Sequence, residues 1–388
     1  MRTIISDWVA NIPQSGIRVV YHEALKYTDV IHLEIGDPDF NTPKHIIDAA
    51  YKALNEGYTH YTHNAGLLEL RQAITDYYRN MYSVNFDPEK NVVVTLGSTE
   101  ALFLTLLALL NPGDEVLIPD PGYPSYIPMI KAARGNVKRY RLYEHEGFII
   151  NVDEVISKIS KKTKVIIINN PHNPTGSMTP LNRLKELTKV ALDNNVVVVS
   201  DEVYERIVFD GIKFHSLCEL SYDNIVVVNS LSKTYAMTGW RIGFVLSKNE
   251  ELIRTLARLQ EGVVACAPAA FQRAAIDALK GPQDVVEYMV KEYQRRRDAV
   301  LSILSSVEGI TFVKPQATFY LFLNVSRYVK DSMEFAIKLL REERVAVAPG
   351  IAFGPSGEGH IRISFATSLD KLIRGVNKIV NYLRRLRR

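Results

Sequence analysis

The stretch KVIIINNPHNPTGSMTPLNRLKELTKVALDNNVVVVSDEVY, residues 164–204, decides the fold class. It contains two short, continuous apolar runs, VIII and VVVV, whose β-branched residues are typical of strands buried on both faces. Residues 181–194, between the two runs, have the spacing of apolar positions expected of an amphipathic helix. A strand, a helix and a second strand in this order predict parallel strands with helices packed on the sheet.

The same alternation continues on both sides of this stretch, from about residue 90. The other β-branched runs are VVVTL (92–96), EVLIP (115–119), NIVVVN (224–229) and GFVLS (243–247). We therefore predict an α/β protein whose large domain is a three-layer structure, with helices on both faces of a mostly parallel sheet.

A change of pattern near residue 280 predicts a second, smaller domain. Leu279-Lys-Gly-Pro282 interrupts a helical pattern, a long helix is predicted at 284–307, and hairpin-like strands follow. The expected units are a large domain at 46–280 and a small α+β domain at 281–388. The N-terminal segment 1–45 shows no regular pattern and is expected to pack with the small domain, so that both chain ends build it.

The composition of the 388 residues is ordinary for a globular protein and excludes disordered, collagenous and simple coiled-coil proteins, since 47% are hydrophobic and 23% are charged. The net charge of +4 is too small to favour a nucleic-acid partner. Two cysteines, Cys218 and Cys266, cannot form a disulfide framework and favour the cytoplasm. The longest apolar run, at 101–110, is half of a membrane span, and the N-terminus lacks the apolar core of a signal peptide.

Chemically active residue types follow four of the predicted strands at their carboxyl ends, where open α/β sheets bind ligands. The four segments are Gly97-Ser-Thr-Glu100, Asn170-Pro-His-Asn173, Asp201-Glu-Val-Tyr204 and Ser230-Leu-Ser-Lys233. Arg241 stands two residues before the next strand. One edge of the sheet is therefore expected to collect hydroxyls, an amide, a carboxylate, a phenol, a lysine and an arginine.

These residue types match the chemical needs of pyridoxal phosphate. This cofactor requires a lysine that forms a Schiff base with its aldehyde, and an acid that keeps the pyridine nitrogen protonated. We assign these roles to Lys233 and Asp201, because an ionised carboxylate and a pyridinium stabilise each other. The helix that begins near Gly97 offers backbone N–H groups to the phosphate, and Arg241 can add a bidentate contact.

The ordered set of motifs resembles the class I/II aminotransferases, which are fold-type I pyridoxal-phosphate enzymes, and most closely their prokaryotic aspartate and aromatic aminotransferase branch. The similarity extends from LEIGDPDF (33–40) to HIRISFATS (360–368) and includes the spacing from Asp201 to Lys233 and on to Arg241. The resemblance implies an enzyme that moves an amino group between an L-amino acid and a 2-oxo acid, such as 2-oxoglutarate, by a ping-pong mechanism.

The resemblance also implies a role for each matching residue. Lys233 would carry the cofactor and move the proton at Cα, and Asp201 would bind the ring nitrogen. The remaining cofactor contacts would be made by Tyr204 and Asn173 at the ring oxygen, Tyr123 on the ring face, and Ser98, Thr99, Ser230 and Arg241 at the phosphate. Arg362 would bind the substrate α-carboxylate, helped by Asn173 and the Gly36 backbone. Tyr61 matches a tyrosine that reaches the neighbouring subunit's cofactor, which implies a homodimer.

Two other functions are compatible with the same fold, a carbon–sulfur β-lyase and a regulator that senses an amino acid. SLSKTYAMTGWRIG (230–243) is more similar to transaminases than to β-lyases. Such regulators carry a DNA-binding module ahead of the fold, whereas this fold is expected to begin near residue 1. His60 and His63 stand three residues apart without a thiol or a third ligand nearby, so no metal site is expected.

The preferred amino donor stays open between several classes. Some aspartate-using relatives place a lysine at the position of Thr99, so its absence weakens a dicarboxylate-only interpretation. Glu100 would repel a second carboxylate if its side chain faced the substrate, whereas Ile17, Tyr123 and Phe353 would favour aromatic or aliphatic side chains. We expect an aromatic or aspartate aminotransferase, with an alanine-type or broad-specificity enzyme as the alternative.

Overall fold

The computed structural model describes residues 4–10 and 12–386. The strands are β1 (Ile31–His32), β2 (Val92–Thr95), β3 (Glu115–Asp120), β4 (Asn136–Arg141), β5 (Thr163–Asn169), β6 (Val197–Asp201), β7 (Ile225–Ser230), β8 (Gly243–Ser247), β9 (Thr311–Phe312), β10 (Tyr320–Asn324), β11 (Val345–Ala346), β12 (Ala348–Pro349) and β13 (His360–Ser364). The helices are α1 (Asp7–Ala10), α2 (Gly16–Ala24), α3 (Lys44–Asn55), α4 (Leu68–Tyr82), α5 (Gly97–Leu109), α6 (Tyr126–Ala132), α7 (Val152–Lys158), α8 (Leu181–Asp193), α9 (Glu250–Val263), α10 (Ala269–Lys280), α11 (Asp284–Leu304), α12 (Ser332–Glu343) and α13 (Leu369–Leu386). None of the described helices is long and apolar enough to cross a membrane.

A seven-stranded sheet of order β2-β8-β7-β6-β5-β3-β4 forms the centre of the fold. Its strands are parallel except β8, which runs antiparallel to both β2 and β7. All six β-branched runs of the sequence are strands of this sheet. The seventh, β4, lies at the edge, and its sequence NVKRYR lacks the continuous apolar character by which the other strands were predicted.

Helices cover both faces of this sheet, and alternate side chains of each central strand belong to two different cores. In β5, Val165 and Ile167 pack with apolar residues of α5, α6 and α9, whereas Ile166 and Ile168 pack with residues of α4, α7 and α8. All four side chains are fully buried, because both faces of a parallel sheet are covered. The predicted three-layer α/β architecture is therefore confirmed.

Two smaller sheets bring the chain ends together. The first is antiparallel, with the order β12-β13-β10-β9, and the second is the parallel pair β1 and β11. In that pair, Ile31 lies opposite Val345 and His32 lies opposite Ala346. The N-terminal segment is thus joined by backbone pairing to the C-terminal region, while the domain boundaries at residues 45 and 280 stay a prediction.

One expectation about the N-terminal segment is wrong, because residues 16–24 form a regular helix, α2. This helix spans only nine residues, of which Val20 and Ala24 are fully buried, and so short a pattern was not recognised in the sequence. The helix packs against α12, β11 and β12, and we attribute its formation to these tertiary contacts. Residues 1–3 and 11 of the predicted segment, and 387–388 at the other end, lie outside the described residues.

Candidate active site

A cavity of about 440 Å³ opens at the carboxyl edge of the seven-stranded sheet. Apart from Tyr61, the residues expected to bind the cofactor or the α-carboxylate all line it: Gly36, Ser98, Thr99, Tyr123, Asn173, Asp201, Tyr204, Ser230, Lys233, Arg241 and Arg362. The antiparallel β8 explains how Arg241 reaches this edge. Gly243, the first residue of β8, lies opposite both Ser230 at the end of β7 and Thr95 at the end of β2.

Asp201 ends β6 at the base of the cavity and is 4% exposed. Its Oδ2 accepts a hydrogen bond of 2.6 Å from the Tyr126 hydroxyl, whereas its buried Oδ1 has no partner among the described residues. Burial raises the pKa of Asp201 to about 6. A buried carboxylate oxygen without a donor costs free energy, so this atom is suited to a donor supplied by a bound ligand.

Lys233 extends from the loop after β7 and places its amine beside the backbone of the N-terminal segment. Its Nζ donates a hydrogen bond of 2.5 Å to the Gly36 carbonyl oxygen. Burial lowers the pKa of Lys233 to about 8. The lowered pKa increases the fraction of neutral amine near pH 7, and the neutral amine is the form that acts as a nucleophile or a base.

The start of α5, together with Ser230 and Arg241, forms a site suited to an anion. The first backbone N–H groups of a helix have no partner within the helix and carry partial positive charge. Ser230 is 4% exposed, and its Oγ has no partner among the described residues. The Arg241 guanidinium is held beside them by the carbonyl oxygens of Thr238 and Leu96, at 2.7 and 3.2 Å.

Arg362 lies in the middle of β13 and enters the cavity from the antiparallel sheet. It is 3% exposed, and its two terminal nitrogens donate to Asn173 Oδ1 at 2.9 Å and to the Glu34 carbonyl oxygen at 2.6 Å. Its Nε has no partner among the described residues, and the ring of Tyr320 lies 4.1 Å from Cζ. The guanidinium is therefore held in one plane, as two-point binding of a carboxylate requires.

The sequence profile for "Aminotransferase class I and II" matches residues 28–379 of this chain. The chain belongs to the class I and II aminotransferases. It is accordingly an enzyme that transfers amino groups, and the resemblance recognised in its motifs is confirmed.

Individual relatives match this aminotransferase over nearly its whole length. An aspartate aminotransferase of Pyrococcus horikoshii is 42% identical over 97% of this chain and 96% of its own. The crystal structure of an aromatic aminotransferase from Pyrococcus horikoshii is 39% identical, with a TM-score of 0.89 over 95% of this chain and 100% of that one. The structure of an alanine aminotransferase from Pyrococcus furiosus is 34% identical, with a TM-score of 0.93 over 98% of this chain and 100% of that one.

Two side chains of this aminotransferase that bear on substrate choice lie outside the cavity lining. Glu100 bends back towards the start of α5, where its Oε2 accepts the Leu96 backbone N–H at 2.5 Å. Phe353 lies behind Arg362, with its ring centre 4.9 Å from the guanidinium carbon. Ile17, in contrast, lines the cavity as expected. Since Glu100 is engaged by its own helix, it does not argue against a substrate with a second carboxylate.

Like Phe353, Tyr61 is a predicted site residue that the structure does not bring into the cavity. It lies with Leu54, Tyr58 and Phe271 in a separate surface hollow, and it is 87% exposed. A function for Tyr61 at a cofactor therefore requires a second copy of the chain.

Three residues at or beside the cavity of this aminotransferase were missed in the sequence. Tyr126, which bonds Asp201, ends the segment DPGYPSY (120–126) that also contains Tyr123, but nothing in the sequence indicated its partner. Asn169 ends β5 and orients its neighbours, donating to the Asp201 carbonyl oxygen at 3.0 Å and accepting the Asn173 N–H at 2.8 Å. Tyr320 bonds the Tyr204 hydroxyl at 2.9 Å, and nothing in its strand pattern distinguishes it from a core residue.

Gly97→Ala is expected to weaken anion binding at the start of α5. Gly97 has a φ of +75°, and an added Cβ would lie 2.5 Å from Nη2 of Arg241. The alanine would therefore strain the backbone by about 1–2 kcal/mol and also displace the guanidinium. We expect the dissociation constant of pyridoxal phosphate to rise at least about tenfold, because a charged hydrogen bond is lost. Spectroscopic titration of the cofactor-free protein with pyridoxal phosphate measures this dissociation constant.

Gly113→Ala is the matched control for this substitution. Gly113 also has a positive φ, of +96°, but no atom lies within 4 Å of an added Cβ. This variant carries the backbone strain alone, so it is expected to lose some thermal stability and to keep the cofactor affinity of the wild type. Equal cofactor affinity in the two variants would contradict a role for the Arg241 guanidinium at the phosphate.

Proposed function

We propose that the cavity binds pyridoxal phosphate and that the enzyme uses it to exchange an amino group between an L-amino acid and a 2-oxo acid. The observation that carries the proposal is a pair of buried oxygens without partners, Asp201 Oδ1 and Ser230 Oγ, in the cavity that contains Lys233. The cofactor carries a protonated nitrogen at one end and a phosphate at the other, which these two atoms suit. When bound, it supplies an aldehyde that takes up the amino group and a ring that withdraws electrons from the substrate Cα.

The residues around the cavity divide between the parts of the cofactor. Asp201 would hold the ring nitrogen, and its bond from Tyr126 fixes the plane of the carboxylate. The other contacts are proposed for Tyr204 and Asn173 at the ring oxygen, Tyr123 on the ring face, and Ser98, Thr99, Ser230 and Arg241 at the phosphate. Ser98 and Thr99 lie in the first turn of α5, so their backbone N–H groups can contribute.

Lys233 performs the proton transfers of the proposed reaction. Its amine takes a proton from the substrate Cα and later returns one, and a pKa lowered towards neutrality suits both directions. Arg362 fixes the orientation of the substrate by holding the α-carboxylate, with Asn173 and the Gly36 backbone beside it. An added Cβ at Gly36 would lie 1.8 Å from the Tyr320 hydroxyl oxygen, so a side chain there would close this approach.

We also propose that the units 46–280 and 281–388, the latter with segment 1–45, close on the substrate. Arg362 belongs to the second unit, whereas Lys233 and Asp201 belong to the first. A carboxylate gripped by Arg362 would draw the second unit onto the cavity, exclude water and protect the reactive Cα. Crystals with and without a bound amino-acid analogue test this; an unchanged angle between the units would contradict it.

For the amino donor, we propose aromatic amino acids or aspartate, with alanine-type or broad specificity as the alternative. Relatives at 34–42% identity are named for each of these three classes. The Glu100 carboxylate is bonded to the Leu96 N–H, so it does not argue against a substrate with a second carboxylate. Tyr123 and Ile17 line the cavity with apolar surface, which suits aromatic and aliphatic side chains. The two half-reactions would share one site in a ping-pong sequence, with 2-oxoglutarate as the expected acceptor.

The decisive test is a titration of the purified, cofactor-loaded protein with single amino acids in the absence of any oxo acid. Conversion of the visible absorption band to that of the aminated cofactor is expected, and the fastest donors identify the substrate class. Release of pyruvate and ammonia without an acceptor would instead indicate a β-lyase. Failure to bind the cofactor after reconstitution would contradict the proposed roles of Lys233 and Asp201.

We propose that the active unit is a cytoplasmic homodimer in which Tyr61 contacts the phosphate of the other subunit's cofactor. Tyr61 and Leu54 are exposed in one surface hollow, and contiguous exposed apolar side chains favour a subunit interface. Both cysteines are free thiols, which suits a reducing compartment.

Mixing the inactive Lys233→Ala protein with Tyr61→Ala protein tests this arrangement. Each hybrid dimer would contain one site with both native residues if Tyr61 acts on the other subunit. In a random mixture of the two kinds of subunit, half of the dimers are hybrids, and each hybrid has one restored site of its two. We therefore expect about a quarter of the wild-type activity, in addition to the residual activity of the two parent proteins. Residues acting within one subunit would restore no site, and the mixture would show only the average of the two parents.

A further inference from the structure

The two proposed units meet beside the cavity through one short segment of each. The segment of the first unit is 120–122, at the end of β3, and the segment of the second unit is 353–356, between β12 and β13. Tyr123, which follows the first segment, lines the cavity. Phe353, which begins the second segment, has its ring centre 4.9 Å from the guanidinium carbon of Arg362. The contact therefore joins the supports of two residues proposed to hold the cofactor and the substrate.

Three hydrogen bonds cross from one segment to the other. Both oxygens of the Asp120 carboxylate accept from Ser356, Oδ1 from the backbone N–H at 3.1 Å and Oδ2 from the side-chain hydroxyl at 3.0 Å. The Gly122 N–H donates to the Phe353 carbonyl oxygen at 2.8 Å. Two donors from one residue fix the orientation of the carboxylate, and hydrogen bonds to an ionised group are stronger than neutral ones.

The contact is buried and leaves no room for a side chain between the segments. Asp120 is 6% exposed, and burial raises the pKa of its carboxyl, whereas the two Ser356 donors act in the opposite direction. A Cβ added to Gly354, whose φ is +124°, would lie 2.2 Å from Asp120 Oδ1. Separation of the units at this point would break the three bonds and leave a buried carboxylate short of donors, which costs free energy.

We propose that Asp120 and Ser356 form a latch that fastens the second unit over the cavity, and that this latch opens each time a product leaves. The inference rests on the proposed function, since it assumes that the two units open and close around the substrate. Tyr123 follows one segment and Arg362 packs against the other, so the closed latch also fixes their separation. Opening of a closed site limits the turnover of many enzymes, and the strength of the latch sets the rate of that step here.

Hydrogen exchange in the cofactor-free protein measures the opening of the latch directly. The Gly122 N–H is bonded across the contact, so it exchanges with solvent when the segments separate. We expect Ser356→Ala to speed exchange at Gly122 by about tenfold, because one hydrogen bond to a charged group is lost. The amide of Ile167, in the centre of β5, should keep its wild-type rate. Unchanged exchange at Gly122, or equal acceleration at Ile167, would overturn the proposal.

Release of unreactive ligands from the cofactor-loaded enzyme is the second measurement. Stopped-flow absorbance of the bound cofactor follows the dissociation of 3-phenylpropanoate, which carries an aromatic ring, and of succinate, which carries a second carboxylate. We expect Ser356→Ala to raise both dissociation rate constants by about tenfold, because the latch acts on the opening of the units and not on the ligand. Acceleration of one ligand alone would indicate a direct contact with that ligand and would contradict the latch.

Ser305→Ala is the matched control, because it removes an exposed hydroxyl of the same unit. That hydroxyl donates to the Ser302 carbonyl oxygen at 2.9 Å, within its own helical turn. The control should change neither exchange at Gly122 nor ligand release, and a change equal to that of Ser356→Ala would overturn the proposal.

Asp120→Asn tests the pairing itself, since the amide keeps the shape of the carboxylate and loses its charge. We expect it to speed exchange at Gly122 by about threefold, and Ser356→Ala should add less in this background than in the wild type. Effects that simply multiply would show that the two side chains act independently. The amino-acid titration keeps the two hypotheses apart: a wild-type enzyme that converts an amino acid supports amino transfer whatever the latch variants do.

Discussion

Lys233→Ala is expected to reduce the rate of amino transfer by at least about 10⁴-fold, because one side chain supplies both the amine that holds the cofactor and the base that moves the proton. The cofactor should still bind, since Asp201, Ser230, Arg241 and the start of α5 are unchanged. Single-turnover absorbance measurements with the best amino donor determine the rate, and equilibrium dialysis determines the bound cofactor. The visible band of the bound cofactor should shift, because its link to the lysine is absent.

Two controls separate a chemical role of Lys233 from a structural one. Lys213→Ala removes an exposed lysine that does not line the cavity and should leave the rate unchanged. A small primary amine added to Lys233→Ala enzyme should restore part of the rate, in proportion to its concentration, because it replaces the missing base. A variant that turns over at close to the wild-type rate would refute the assignment of Lys233.

The sheet was predictable because its strands are buried on both faces. Strands such as β5 and β7 carry continuous apolar runs, which the sequence displays directly, and the positions of helices such as α8 and α11 follow from their periodic patterns. The edge strand β4 and the helix α2 were not predictable. The sequence of β4, NVKRYR, is mostly polar, and α2 spans only nine residues, of which Val20 and Ala24 are fully buried. The conformation of each depends on neighbours that are remote in the sequence.

The site was predictable to the extent that it consists of strand ends. Asp201, Ser230 and Asn173 follow strands of one sheet, and a parallel sheet gathers such residues at one edge. Residues that reach the cavity from other elements gave no comparable signal. Tyr320 lies in β10 of a different sheet, and Arg18 lies on a helix that the sequence did not reveal. Glu100 is adjacent to Thr99 in the sequence, yet the direction of its side chain depends on a hydrogen bond to Leu96 that only the structure shows.

Asp201→Asn is expected to lower cofactor affinity and the rate of proton removal from the substrate by about 10²-fold or more each. The amide has nearly the same shape as the carboxylate, but it cannot balance the positive charge of a protonated ring nitrogen in a buried site. Titration of the cofactor-free protein gives the affinity, and single-turnover rates with substrate deuterated at Cα show whether proton removal has become slower. Tyr126→Phe is the comparison, since it removes one hydrogen bond to Asp201 and keeps the charge; we expect a loss of about tenfold.

The pH dependence of cofactor affinity gives this prediction a second and independent measurement. Burial raises the pKa of Asp201 to about 6 in the cofactor-free protein, so below that pH the carboxyl is protonated and neutral. Affinity for the cofactor should therefore fall as the pH drops through about 6, because the charge that pairs with the ring nitrogen is lost. The phosphate of the cofactor titrates in the same pH range, so Asp201→Asn is needed as a control. The cofactor affinity of this variant should keep the pH dependence caused by the phosphate and lose the part caused by the Asp201 carboxyl. Identical profiles for wild type and variant would show that Asp201 is not the partner of the ring nitrogen.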